Sequence, residues 1–254
     1  MAHPALPALQ AVLAASKRLL VFTGAGISVD SGIPDFRSPG GIWSRLDPFT
    51  LSVDCLRAGA AGRATFWRTM AALEDSLGDP QPNASHRAVV ELARRGQVSL
   101  VVTQNVDGLH QAAGTDPATI VELHGNTELS YCVRCQTRWP TPAIVARVKA
   151  GEAGPLCDCG GLIRPELVIF GDPLPQAAIE RAFEATRTCD TCLVLGSSLS
   201  VTPAAHVPLA ARRRGAQLVI VTLGDTPLDD DADLKIEAPL ADVFVPAVAA
   251  LPPV

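Results

Sequence analysis

The chain has 254 residues, a formal net charge of -5 and a pI near 5.5, long enough to bury a full core as one large α/β domain or a domain with a small insertion. That charge excludes a basic field able to hold nucleic acid or an anionic membrane by electrostatics alone. Six of the seven cysteines fall in the close pairs Cys132/Cys135, Cys157/Cys159 and Cys189/Cys192, a usage that suits metal ligands in a reducing compartment better than a secreted disulfide framework.

The N-terminal stretch MAHPALPALQAVLAASKRLL is apolar, but Lys17 and Arg18 follow its apolar part instead of preceding it as in a signal peptide. No apolar run approaches the roughly 20 residues that cross a bilayer, so a cytoplasmic protein without membrane partners is expected. Leu6, Leu9 and Leu13 recur at helical spacing, and LLVFTGAG then reads as a buried strand ending on glycines. Helical patterns follow over 51–59 and 63–77, and ASHRAVVELARRG makes another that stops at Gly96. VSLVVT is a short β-branched strand running into QNVDGLH. Later, TCLVLGSS reads as a strand, Pro203 opens a helix that Gly215 closes, AQLVIVT is a strand, and a last helix starts at Leu240. Apolar strands alternating with helices predict an α/β fold with a doubly wound, mostly parallel sheet buried on both faces.

Between about Asn126 and Pro165 the composition changes to Cys, Gly, Arg and Pro, too polar for a layer of that sheet. We expect a small inserted module there, over 126–165, within a main domain formed by 1–125 and 166–254. In YCVRCQTRW and PLCDCGGLIRP, the thiolates of Cys132, Cys135, Cys157 and Cys159 make a closed tetrahedral zinc site, which stabilises the module and leaves no coordination position for catalysis. The second pair is one residue shorter than the usual spacing. Cys189 and Cys192 border an apolar strand and Cys55 lies on a helical pattern, where free cysteine behaves as a small hydrophobe.

Gly24 and Gly26 follow a strand and lead into an expected helix, the placement that lets backbone N–H groups approach a pyrophosphate. Val29 stands where the dehydrogenase fingerprint has its third glycine, and no acidic residue ends a second strand some 20 residues on. Alone, this truncated motif is weak. Beyond it, the loop Ile33-Pro34-Asp35-Phe36-Arg37, the segment TQNVDGLH, His124 in ELHGN, and GSSLSVTP all fall at the carboxyl edge of the expected sheet, where ligands bind in open α/β folds.

The ordered set GAGISVDSGIPDFR, TQNVDGLH, ELHG, the paired cysteines, LVIFGDPLP and GSSLSV spans nearly the whole chain and resembles the sirtuins, NAD-dependent protein deacylases. That resemblance implies a Rossmann-type domain, a smaller zinc-ribbon domain, and NAD and acyl-lysine meeting in the cleft between them. NAD would be a consumed co-substrate and zinc structural. It further implies that Asn105 and Asp107 position the nicotinamide end, with Gln104 on the ribose and Val106 beside them. Gly24, Ala25, Gly26, Gly196, Ser197 and Ser198 would line the phosphate and adenosine path, together with Thr222, Leu223 and Gly224. Ile33, Asp35, Phe36 and Arg37 would belong to a mobile loop that closes over the cofactor and keeps water from an oxocarbenium-like carbon.

In the family scheme the acyl oxygen displaces nicotinamide, and His124 serves as general base on a ribose hydroxyl. An imidazole with an unperturbed pKa of about 6.5 suits that task. LVIFGDPLP resembles the strand and turn that pair the peptide by β-addition, with Val168, Phe170 and Gly171 as contacts. The expected partners are acetyl-lysine proteins or peptides.

Two departures from the family pattern stand out. Thr222 replaces an Asn that bonds the adenosine ribose, so weaker cofactor binding is expected. Members that remove acidic acyl groups place Tyr and Arg where Met70 and Leu73 stand, and an unpaired buried carboxylate would be costly; neutral acyl groups, acetyl first, are therefore expected. The rival functions are ADP-ribosyl transfer to protein or long-chain deacylation on the same scaffold, and a non-catalytic NAD-sensing module.

Overall fold

A computed structural model describes residues 3–35 and 40–253, the side chain of Trp43 excepted. In chain order its elements are α1 (Leu6–Ala15), β1 (Leu19–Thr23), α2 (Val53–Arg57), α3 (Gly59–Leu77), α4 (Ala84–Arg94), β2 (Val98–Thr103), α5 (Leu109–Ala112), β3 (Ile120–Glu122) and β4 (Leu129–Cys132). There follow β5 (Arg138–Pro140), α6 (Thr141–Lys149), β6 (Ile163–Pro165), α7 (Gln176–Ala185), β7 (Thr191–Leu195), α8 (His206–Arg213), β8 (Gln217–Val221), β9 (Leu234–Ile236) and α9 (Leu240–Ala249). The chain forms two compact units, one of Met1–Gly32, Gln81–Leu123 and Pro175–Val254, the other of Ile33–Pro80 and His124–Leu174. The segment 126–165, set apart by composition, lies in the second unit together with 33–80.

The first unit is built on a six-stranded sheet in the order β3-β2-β1-β7-β8-β9, with every neighbouring pair parallel. Leu19, Val21, Val101, Leu193, Leu195, Val219 and Val221 point to one face. There they pack with Leu9 and Leu13 of α1, Val89 and Leu92 of α4, and Val243 and Phe244 of α9. The alternate residues Leu20, Phe22, Val102, Val194, Leu218 and Ile220 are equally buried and point the other way. On that side α7 lies against β2 and β3, and α8 against β7 and β8. Burial on both faces is why these strands read as unbroken apolar runs. From β1 the chain winds outward to β2 and β3, then crosses to β7, β8 and β9 on the other side of β1. The winding therefore reverses between β1 and β7.

The second unit holds a three-stranded antiparallel sheet, β5-β4-β6. α3 packs against α2 and α6, burying Phe66, Trp67, Met70 and Leu73 along with Ile144 and Ile163. Phe66 and Trp67 meet edge to face at 5.6 Å, a favourable ring geometry.

Three local expectations are corrected. The segment after Gly24 is a 3-10 helix, Ala25–Ser31, closed by Gly32 at φ +87° donating to the carbonyls of Ser28 and Val29. The helix expected to open at Pro203 begins at His206, because a turn held by Ala205 N–H on the Val201 carbonyl precedes it. LVIFGDPLP is no strand: only Phe170 pairs, in an isolated parallel bridge with Ser52, and Gly171 at φ +93° turns the chain immediately afterwards. Among the described residues no helix is long and apolar enough to cross a membrane.

Candidate functional site

At the reversal point the loops leaving β1 and β7 touch backbone to backbone. Gly24 N–H donates to the Leu195 carbonyl (3.2 Å) and Gly26 N–H to that of Gly196 (2.8 Å). A Cβ on Gly26 would lie 2.7 Å from Gly196 Cα, and one on Gly24 2.8 Å from Ser197 Cβ, so only glycine permits the approach. This is the crevice in which doubly wound sheets bind their ligands. Ser197 Oγ accepts from Gln104 Nε2 (2.7 Å) and from Leu199 N–H (3.2 Å). Leu199 is buried at φ +53°, a left-handed conformation that costs a non-glycine residue roughly 1–2 kcal/mol and tends to persist at functional sites.

Further along this edge, Ser198 is half-buried and accepts from Ser200 Oγ. Thr222 is buried and ties β8 to β9 through its amide on the Ile236 carbonyl (3.1 Å). Leu223 is exposed, and Gly224 at φ +75° donates to Glu237 Oε1.

The segment after β2 folds inward around one hydroxyl, that of Ser28. Asn105 Nδ2 donates to the Gly24 carbonyl (3.2 Å) and to Ser28 Oγ (3.1 Å). Ser28 donates to Asp107 Oδ2 (2.6 Å), whose other oxygen accepts from Leu109 N–H (3.0 Å). Asn105 N–H is held by Thr103 Oγ1 (3.0 Å), and Val106 lies half-buried between Asn105 and Asp107. His86 Nε2 approaches Ser28 Oγ at 3.5 Å, and its ring meets that of His110 edge to face at 5.1 Å. Burial, with a smaller contribution from Arg87, pushes His86 down to about 4 against the opposing pull of Asp107. Burial, then His86, pushes His110 to about 3. Both rings are neutral at pH 7.

The remaining expected residues belong to the second unit. Ile33 is buried, and the Asp35 carbonyl accepts from Ile42 N–H (2.8 Å); Phe36 and Arg37 lie outside the described residues. The His124 carbonyl accepts from Val168 N–H (2.8 Å), and the imidazole is half-buried. Phe170 donates to the Leu51 carbonyl and accepts from Val53 N–H, so these main-chain groups are already engaged and the exposed ring is what Phe170 offers. The loop is pinned by Arg164, which pairs with both oxygens of Asp172. Burial opposes the Asp172 charge, but Arg164 and the Ile169 N–H outweigh it and hold that carboxyl below its usual range.

The sulfurs of Cys132, Cys135, Cys157 and Cys159 all lie within 4.8 Å of one another. The pairs Cys132/Cys159 and Cys135/Cys157 are each separated by 3.5 Å, far beyond a disulfide bond of about 2.05 Å. Tetrahedral zinc with bonds of about 2.3 Å sets sulfurs roughly 3.8 Å apart, so the donor set fits. Gly161 is required beside it, since a Cβ there would come 2.5 Å from Cys132 Sγ. Cys189 and Cys192 are buried, with their thiols raised by burial, as inert packing residues should be.

The Sir2 family model matches residues 24–203. The chain belongs to the Sir2 family. It is 42% identical over 234 residues to an NAD-dependent protein deacetylase of Caldivirga maquilingensis, covering 92% of this chain and 88% of that one. To NAD-dependent protein deacetylase 1 of Geobacillus kaustophilus it is 44% identical over 226 residues, covering 88% and 89%. A solved Sir2 protein with a His-to-Ala substitution, described with deacetylated p53 peptide and 3′-O-acetyl-ADP-ribose, superposes with a TM-score of 0.88 at 38% identity, covering 96% of each chain.

Within this Sir2 chain the sequence reading missed Ser28 and His86. Ser28 stands inside GAGISVDSG, but its partners follow it by 58 to 79 residues. His86 read as a structural helix residue; the one local hint is its place at the third position after the Asn83 cap.

Proposed function

We propose that this chain is an NAD-dependent protein-lysine deacetylase, which transfers the acetyl group of a modified lysine to ADP-ribose, releases nicotinamide and consumes NAD. The observation that carries this reading is the Asn105–Ser28–Asp107 network beside Gly24 at the sheet's reversal point, in a chain of the Sir2 family. A pair of fixed polar side chains there suits a ring amide that must be clamped while its glycosidic bond breaks. An electron-shuttling site would have no need to hold a departing base.

In this reading Asp107 accepts from the nicotinamide carboxamide, Asn105 orients the same end, and Gln104 holds the ribose with Val106 beside it. Gly24, Ala25, Gly26, Gly196, Ser197 and Ser198, then Thr222, Leu223 and Gly224, line the path of the phosphates and adenosine. Ile33, Asp35, Phe36 and Arg37 cover the reacting carbon. His124 takes the proton of a ribose hydroxyl as that oxygen attacks the acyl carbon, and water completes the release of free lysine and acetyl-ADP-ribose. Val168 and Gly171 contact the peptide and the Phe170 ring walls the acyl-lysine side chain. Zinc on the four cysteines supplies structure, not chemistry. Cysteines used as zinc ligands and as buried packing residues support a reducing compartment, the cytoplasm.

Mass spectrometry of an acetyl-lysine peptide incubated with NAD tests the reading. Loss of the acetyl group only when NAD is present, abolished in His124→Ala, is the expected result. An unchanged peptide would refute it, and a peptide heavier by ADP-ribose would make the chain a transferase.

A further inference from the structure

We propose that His86 is a positioning residue of the NAD site, acting through Ser28 to hold the Asp107 carboxylate and the Asn105 amide in one fixed orientation. The proposal deepens the deacetylase reading and rests on it. The direction of every proton in the chain of contacts is set from its outer end. Asn83 N–H donates to His86 Nδ1 (3.3 Å), so in the neutral ring the proton resides on Nε2. That N–H faces Ser28 Oγ at 3.5 Å, and Asn105 Nδ2 takes the second lone pair at 3.1 Å. With both lone pairs engaged, the single Ser28 proton has one destination, Asp107 Oδ2 at 2.6 Å. Leu109 N–H fixes the other carboxylate oxygen, so Asp107 is held at both ends before any ligand arrives.

A helix cap does not by itself call for histidine at this position. The reciprocal contact between Asn83 and the third helical residue is ordinarily closed by Glu or Gln. Only a ring puts a second nitrogen on the far side, where Ser28 lies. The ring is kept in place by full burial and by the edge of His110, and without it the Ser28 hydroxyl is free to rotate off the carboxylate.

Two variants separate positioning from capping. His86→Asn retains an acceptor for Asn83 N–H but has nothing that reaches Ser28, whereas the single amide of His86→Gln presents Nε2 to Ser28 only by turning away from Asn83 N–H. His86→Asn should lower kcat/KM for NAD about tenfold, the size of one lost hydrogen bond. His86→Gln should stay within about twofold of wild type, and KM for the acetylated peptide should not move in either. Wild-type kinetics in His86→Asn, or a larger loss in His86→Gln than in His86→Asn, would overturn the proposal.

Two measurements do not depend on those variants folding. The imidazole nitrogen shifts of wild-type His86 should report the Nε2–H tautomer, and the Nδ1–H tautomer would overturn the proposal. Ser28→Ala, which leaves the cap intact, should lose kcat/KM for NAD as His86→Asn does, and wild-type values there would overturn it equally. A wild-type protein that releases no nicotinamide would instead refute the deacetylase reading itself.

Discussion

The buried imidazoles make acid stability a quantitative test of the first unit. His110 is 1% exposed, and its Nε2 lies 3.0 Å from Thr23 Oγ1, which passes its own proton to Thr103 Oγ1. His110 Nδ1 has no hydrogen-bond partner among the described residues. Burial holds His110 near 3 and His86 near 4, against 6.5 for the free imidazole. As pH falls below 6.5 the unfolded chain binds protons that the folded chain refuses, so stability falls with pH until the native values are reached. At about 1.4 kcal/mol per unit, moving from about pH 7.5 to about pH 5 costs about 2 kcal/mol for each histidine. His110→Gln should remove its 2 kcal/mol share of that dependence, whatever it does to absolute stability. The readout is the opening free energy from amide exchange at Val101 and Val102 of β2, because Trp43, Trp67 and Trp139 all belong to the second unit and fluorescence would report there. Identical pH dependence in wild type and variant would refute the argument that His110 is neutral by burial.

Removing the metal with a strong chelator, or replacing Cys135 by Ser, should release one zinc per chain and change the tryptophan fluorescence of the second unit; a metal assay on the purified protein checks the stoichiometry. Gly26→Ala drives a methyl to within 2.7 Å of Gly196 Cα and should weaken NAD binding at least about tenfold while lowering stability by about 1–3 kcal/mol, read by calorimetric titration and thermal unfolding. Met70 and Leu73 are buried in the second unit and offer no charge to an acid, so an acetyl peptide should be turned over at least about tenfold faster than a succinyl one. Comparison of the two kcat/KM values decides that.

The central strands were legible because β1, β2, β7 and β8 are buried on both faces and carry the apolar runs that such burial demands. β3 and β9 were not read from the sequence, since three residues at the sheet's margins leave too short a pattern. The carboxyl-edge placement of Gly24, Asn105 and Gly196 followed from each standing directly after an expected strand. Ser28 and His86 did not, because their significance lies in contacts across 58 and 79 positions of sequence, and periodicity carries no record of such pairings. The four cysteines were legible by spacing, whereas the bridge at Phe170 was not: a locally apolar run is held by Arg164 and Asp172 instead of by a sheet.

The most direct test of the whole account is the fate of the bond between nicotinamide and ribose. With an acetyl-lysine peptide and NAD, chromatography with mass detection should find nicotinamide, acetyl-ADP-ribose and deacetylated peptide in equal amounts. Intact NAD alongside a deacetylated peptide, or NAD reduced instead of cleaved, would contradict it.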